Sequence, residues 1–150
     1  MKFSDYIKEE NILPDLVGKN KLEVIEELLG LMDNLGVVSN YETALKDVVD
    51  RENHLSTGLE NGIAVPHAKT EGVEKLSIVF GIKNPGINFD SLDAKPTNLI
   101  FLVLSPKNTS GPHIQALALI SRNLSISKNR ENLKSAISVK EIANIFASFG

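Results

Sequence analysis

Two of the three histidines in this 150-residue chain directly follow a proline: His67 in GIAVPHAK and His113 in GPHIQAL. An imidazole with a reference pKa of about 6.5 is largely neutral near pH 7, so its bare nitrogen can act as a nucleophile. Pro66 fixes its own φ and has no ladder donor. The apolar run ending at Val65 should therefore stop there and leave His67 at a strand mouth, open to a ligand. Pro112 is preceded by Gly111 and followed by an apolar helical pattern, so it fits the first helical position and places His113 in the first turn. Free N–H groups and the positive end of the helix dipole attract phosphate there and disfavour an imidazolium. Upstream, RENHLSTG at 51–58 supplies the Arg51 guanidinium, the hydroxyls of Ser56 and Thr57, and a glycine that permits an unusual turn. A neutral histidine, a fixed cation and hydrogen-bond donors are the parts that phosphoryl transfer needs. Such catalysis is mostly in-line positioning and stabilisation of the equatorial oxygens, which requires neither metal nor cofactor if the protein supplies the positive charge.

Other chemistries lack their parts. There is no cysteine and no H-E-x-x-H for a zinc site, no G-x-S-x-G elbow for a serine hydrolase, and no P-loop or G-x-G-x-x-G for a nucleotide. Asp90 and Asp93 lie among turn residues and read as a solvated loop. His54 reads as an ordinary surface residue. A net charge of -3 with scattered lysines and arginines argues against a nucleic-acid partner. The run Leu99–Leu104 is far shorter than the ~20 residues of a membrane span, and residues 1–10 are too charged for a signal peptide. With no cysteine as well, a cytoplasmic location is expected. The length and the 42% apolar content suit one domain over residues 1–150.

The elements that must position these residues follow from periodicity. Leu22, Ile25, Leu28, Leu29, Met32 and Leu35 share a helix face, with Asn20 and Glu23 as a capping box and Gly36 at the end. Ser39 and Glu42 repeat that spacing before Tyr41, Ala44, Leu45, Val48 and Val49, which places Arg51 near a helix end. Leu76–Ile82 and Leu99–Leu104 read as buried strands, with a loop over 84–96 between them. A largely apolar helix is expected over about Pro112–Leu124. A last amphipathic helix follows Ser138 and Glu141. Helices, then strands, then helices suggest an α/β layer structure around a mostly buried sheet.

Three blocks, REN-H-L-STG-LENG-IAVPHAK, INFDSLDAKPTNLIFLVLSP and GPHIQALALISRNL, resemble the successive signatures of the type-2 enzyme IIA domain of the bacterial sugar phosphotransferase system. That family holds fructose- and mannitol-specific domains and the nitrogen-type regulatory domain. The resemblance spans the chain and implies a single-domain α/β/α sandwich whose mixed β-sheet is flanked by helices. It implies that His67 takes a phosphoryl group from the histidine-containing phosphocarrier protein, that His113 is the second active-site histidine, and that Arg51 is the motif arginine. Ser56 and Thr57 would hold phosphate oxygens through hydroxyl or backbone. A IIB domain would receive the group next. In the alternative, phosphorylation would switch a regulatory protein between partners with no sugar involved. Glu60 stands where many relatives carry a small residue, and Leu55 where glycine is frequent.

Overall fold

The computed structural model describes residues 1–149. Its first helix, α1 (Lys21–Asn34), and its last, α5 (Val139–Ala147), start at the expected caps. The Asn20 side chain accepts from the Glu23 N–H and the Ser138 side chain from the Glu141 N–H, so each satisfies an N-terminal donor the helix cannot. Helix α2 (Tyr41–His54) begins one residue later than the Ser39/Glu42 spacing suggests. Asn40 is its cap and accepts from the Thr43 N–H, while the Ser39 N–H donates to the Gly72 carbonyl. Only glycine fits at that contact, since a Cβ on Gly72 would lie 2.6 Å from the Asn40 carbonyl oxygen.

Five strands form a mixed sheet: β1 (Ile12–Leu13), β2 (Ile63–Ala64), β3 (His67–Lys69), β4 (Ser77–Ile87) and β5 (Thr97–Ser105). The long pair β4 and β5 is antiparallel, with Ile78 opposite Val103 and Phe80 opposite Phe101. β1 runs parallel to β4 on one side, and β2 and β3 run parallel to β5 on the other. Pro66 does not end the strand region as expected. It interrupts it, and the chain rejoins β5 at once, with the Pro66 carbonyl accepting from the Val103 N–H and His67 in register with Val103. β4 also runs into the stretch expected to be loop. A cis Asn84–Pro85 bond and a register shift lie between Ile82 and Ile87, and pairing resumes at Ile87 opposite Thr97.

Side-chain alternation along the strands divides the core into two layers. Ile78, Phe80, Leu99, Phe101 and Val103 pack against α5, the N-terminal turn and helix α3 (Ser110–Leu124). Val79, Ile100, Leu102 and Leu104 pack with α1, α2, Leu16 and Phe89 on the opposite face. The result is an α/β/α sandwich. Helix α3 starts two residues before Pro112, so the proline takes the third helical position, where its missing N–H is still one of the unneeded donors. Helix α4 (Ser127–Ser135) has no counterpart in the periodicity because Leu133 is its one buried residue. No described helix is long and apolar enough to cross a membrane.

Candidate active site

Strand geometry decides which way His67 points. Ala68 is in the core layer beneath α1 and α2, so its neighbours His67 and Lys69 face the other side of the sheet. There α3 presents His113, the fourth residue of that helix. The two imidazole centroids are 5.6 Å apart and the rings are inclined at 55°. His67 is half-buried and lines a cleft of about 320 Å³ whose walls include Arg51, Leu55, Ser56, Thr57 and Leu92. His113 is almost fully buried. All five residues singled out from the sequence thus gather at one end of the sheet. Arg51 arrives from the last turn of α2, Ser56 and Thr57 from the loop after it, His67 from β3 and His113 from α3. His54 is exposed at the end of α2, and Glu60 faces solvent. Leu55 has φ -158°, an extended backbone that needs no glycine.

Hydrogen bonds fix both rings. His67 Nδ1 lies 2.7 Å from the Val65 carbonyl oxygen. A carbonyl can only accept, so Nδ1 holds the ring proton and Nε2 keeps the lone pair. His113 Nδ1 shares a short hydrogen bond with the buried Ser105 hydroxyl, which leaves its Nε2 for other partners. Both rings resist protonation. Burial pushes the His67 pKa below 6.5, and Arg51 lowers it further, against the Val65 hydrogen bond and the negative charge of Glu52. For His113, burial foremost and then the neighbouring His67 and Lys69 bring the value down to about 4.

The hydroxyls of Ser56 and Thr57 are turned into the protein. Ser56 donates to the Phe89 carbonyl and accepts from the Gly58 N–H. Thr57 gives both its hydroxyl and its backbone N–H to Glu52. Arg51 donates one bond of 2.6 Å to the Leu55 carbonyl and keeps the rest of its fork. Glu52 was not singled out from the sequence. Its signal was the spacing Ala44, Val48, Glu52, which continues the buried face of α2 into the site. Lys69, also missed, shares the His67 face of β3 and donates to the Ser110 hydroxyl at 2.7 Å. The aspartates Asp90 and Asp93 do not form a dyad. Asp90 pairs with Lys21, and Asp93 accepts from the Asn61 and Lys95 N–H groups.

Comparison with known proteins fits this arrangement. Residues 5–149 match the family described as "Phosphoenolpyruvate-dependent sugar phosphotransferase system, EIIA 2". The chain is 37% identical over 123 residues to the PTS system fructose-specific EIIA component of Haloferax volcanii, covering 82% of this chain and 80% of that protein. It is 31% identical over 145 residues to the PTS system fructose-specific EIIABC component of Bacillus subtilis, covering 97% of this chain but only 23% of that much longer protein. Among solved structures, the nitrogen regulatory protein IIA-Ntr from Neisseria meningitidis superposes with a TM-score of 0.83 at 28% identity, covering 95% of this chain and 97% of the other. The Escherichia coli IIA mannitol enzyme, in its complex with phosphorylated IIB mannitol enzyme, superposes with a TM-score of 0.81 at 25% identity, covering 94% and 96%. The chain therefore belongs to the EIIA 2 family of the phosphoenolpyruvate-dependent sugar phosphotransferase system.

Proposed function

We propose that this protein is a phosphocarrier that accepts a phosphoryl group on Nε2 of His67. The observation that carries the reading is the Val65 carbonyl on Nδ1, which leaves Nε2 unprotonated in a cleft beside Arg51 and His113. The donor is the phosphohistidine of the histidine-containing phosphocarrier protein. The His67 Nε2 lone pair forms a new N–P bond as the donor's N–P bond breaks, and the departing electron pair returns to the donor imidazole. Arg51 and the Nε2–H of neutral His113 stabilise the equatorial oxygens. Ser56 acts through its backbone N–H, which bonds to no other described group, and Thr57, whose N–H and hydroxyl both go to Glu52, shapes the turn that presents it. Exposed Leu55 and Leu92 on the cleft rim suit a protein donor rather than a small one.

From His67 the group passes to a IIB domain in the cytoplasm, in support of sugar uptake and phosphorylation. The complex of the mannitol-type relative with phosphorylated IIB supports that step. Incubation with phosphoenolpyruvate, enzyme I and the carrier protein should give an acid-labile, base-stable label, and His67→Gln should abolish it. Labelling that survives in His67→Gln overturns the assignment. The close superposition on a nitrogen regulatory protein favours a second reading, in which the same phosphorylation controls binding to a regulatory target. A chase separates the two: discharge by IIB domains and sugar marks the carrier, whereas stable label with phosphorylation-dependent partner capture marks the regulator.

A further inference from the structure

We propose that Glu52 is a positioning residue for phosphoryl acceptance, whose buried carboxylate, paired with half-buried Lys21, holds the Ser56–Gly58 turn against the His67 cleft. The proposal rests on the reading of His67 as the acceptor. Glu52 is 4% exposed although it is an ionisable residue next to Arg51. Burying a carboxylate is costly unless both oxygens are bonded and the charge is paired. Here Oε2 accepts from Lys21 Nζ at 3.0 Å and from the Thr57 N–H at 2.9 Å, while Oε1 accepts from the Thr57 hydroxyl. Lys21 reaches on to Asp90 at 3.0 Å and lies over the Phe89 ring, 5.1 Å from its centroid. The Phe89 carbonyl in turn accepts from the Ser56 hydroxyl. Thus α1, α2, the turn and the 88–92 segment are joined at one wall of the cleft. Well-packed apolar side chains in place of a buried charge and its partner are often no less stable. The charge is explained instead by what it orders, the turn that lines the same cleft as His67, and by its field at His67, which opposes that of Arg51.

The test uses Glu52→Gln, which keeps the size and removes the charge, and the double variant Lys21→Met/Glu52→Gln, which removes both charges of the pair. In single-turnover assays with phosphorylated carrier protein, Glu52→Gln should accept label roughly 10- to 100-fold more slowly, the loss expected when reacting groups are slightly misplaced. By NMR its His67 ring should titrate at lower pH than in the wild type, and the Thr57 amide should exchange faster. The double variant should regain thermal stability yet remain slow. Wild-type rates in Glu52→Gln with an unchanged Thr57 amide overturn the proposal, as does a double variant that recovers rate and stability together. A wild-type protein that takes no label at all refutes the acceptor reading instead, and the Thr57 and His67 spectra still decide whether Glu52 orders the turn.

Discussion

As the proposed acceptor, the His67 imidazole must be neutral to react, and Arg51 disfavours its protonation whereas Glu52 favours it. This balance makes Arg51 separable into two effects. In Arg51→Gln the guanidinium fork is lost, and acceptance of label should fall roughly 10²-fold, as when a preorganised donor to a developing charge is removed. The cation's lowering influence is lost too, so His67 should titrate at higher pH than in the wild type, although burial still holds it down. A larger share of the rings is then protonated in mildly acid solution, and the variant's deficit should be greater at about pH 6 than at about pH 8. A deficit independent of pH, or a His67 titration unmoved by the substitution, would refute the electrostatic part. At this scale His67, His113 and Arg51 are legible because prolines, a glycine and a helix end restrict where such side chains can go. Glu52 and the inward turn of the Ser56 and Thr57 hydroxyls are not. A glutamate in a charged stretch usually faces water even where it continues an apolar stripe. The Thr57 hydroxyl turns inward to that same glutamate, and the Ser56 partner Phe89 lies 33 residues on and leaves no local trace.

The elements that carry these residues differ in how plainly they are written. α1 and α5 announce themselves through caps and an apolar stripe, and α2 is displaced by one residue because asparagine caps as well as serine. α4 is hidden because its burial amounts to Leu133. The strand order rests on pairings between distant segments, which periodicity does not encode, and the split of β2 from β3 at Pro66 depends on β5 accepting both pieces. Between α2 and β2 the loop itself is an element of the site, and its tightest point is Gly58. A Cβ there would lie 2.7 Å from the Phe89 carbonyl oxygen and 2.8 Å from the Ser91 hydroxyl oxygen. The first of these is backbone and has little room to yield. Gly58→Ala should therefore push the turn away from the 88–92 segment, breaking the Ser56 bond to Phe89, and slow acceptance of label more than it lowers stability. Label uptake compared with the urea midpoint checks this. A wild-type uptake rate would show that the turn tolerates the shift and that its placement does not matter.

At the scale of the molecule, the α/β/α layering follows from the alternation of two long apolar strands that had to be covered on both faces, which is why the coarse architecture could be read from the order of elements. The aromatic cluster that locks the layers could not, because its members come from both ends of the chain and from the middle of the sheet. Phe3 stacks on Phe146 with centroids 5.2 Å apart, Phe80 meets Phe146 edge-on at 4.9 Å, and Phe149 stands edge-on to Phe3 at 5.1 Å. Phe146 is fully buried at the centre of this group, whereas the cleft lies where β3 and α3 meet the loop after α2. The two sites share no side chain. Phe146→Ala should accordingly lower stability by about 3–5 kcal/mol, the usual cost of removing a buried ring, without altering the proposed acceptor site. The expected result is a lower urea midpoint with an unchanged slope, the pattern of a substitution that changes stability but not the surface exposed on unfolding. Label uptake per folded molecule, measured well below the midpoint, should match the wild type. A slope that falls, or uptake that drops while the protein remains folded, would mean that the N- and C-terminal segments communicate with His67 through the sheet rather than only holding it together.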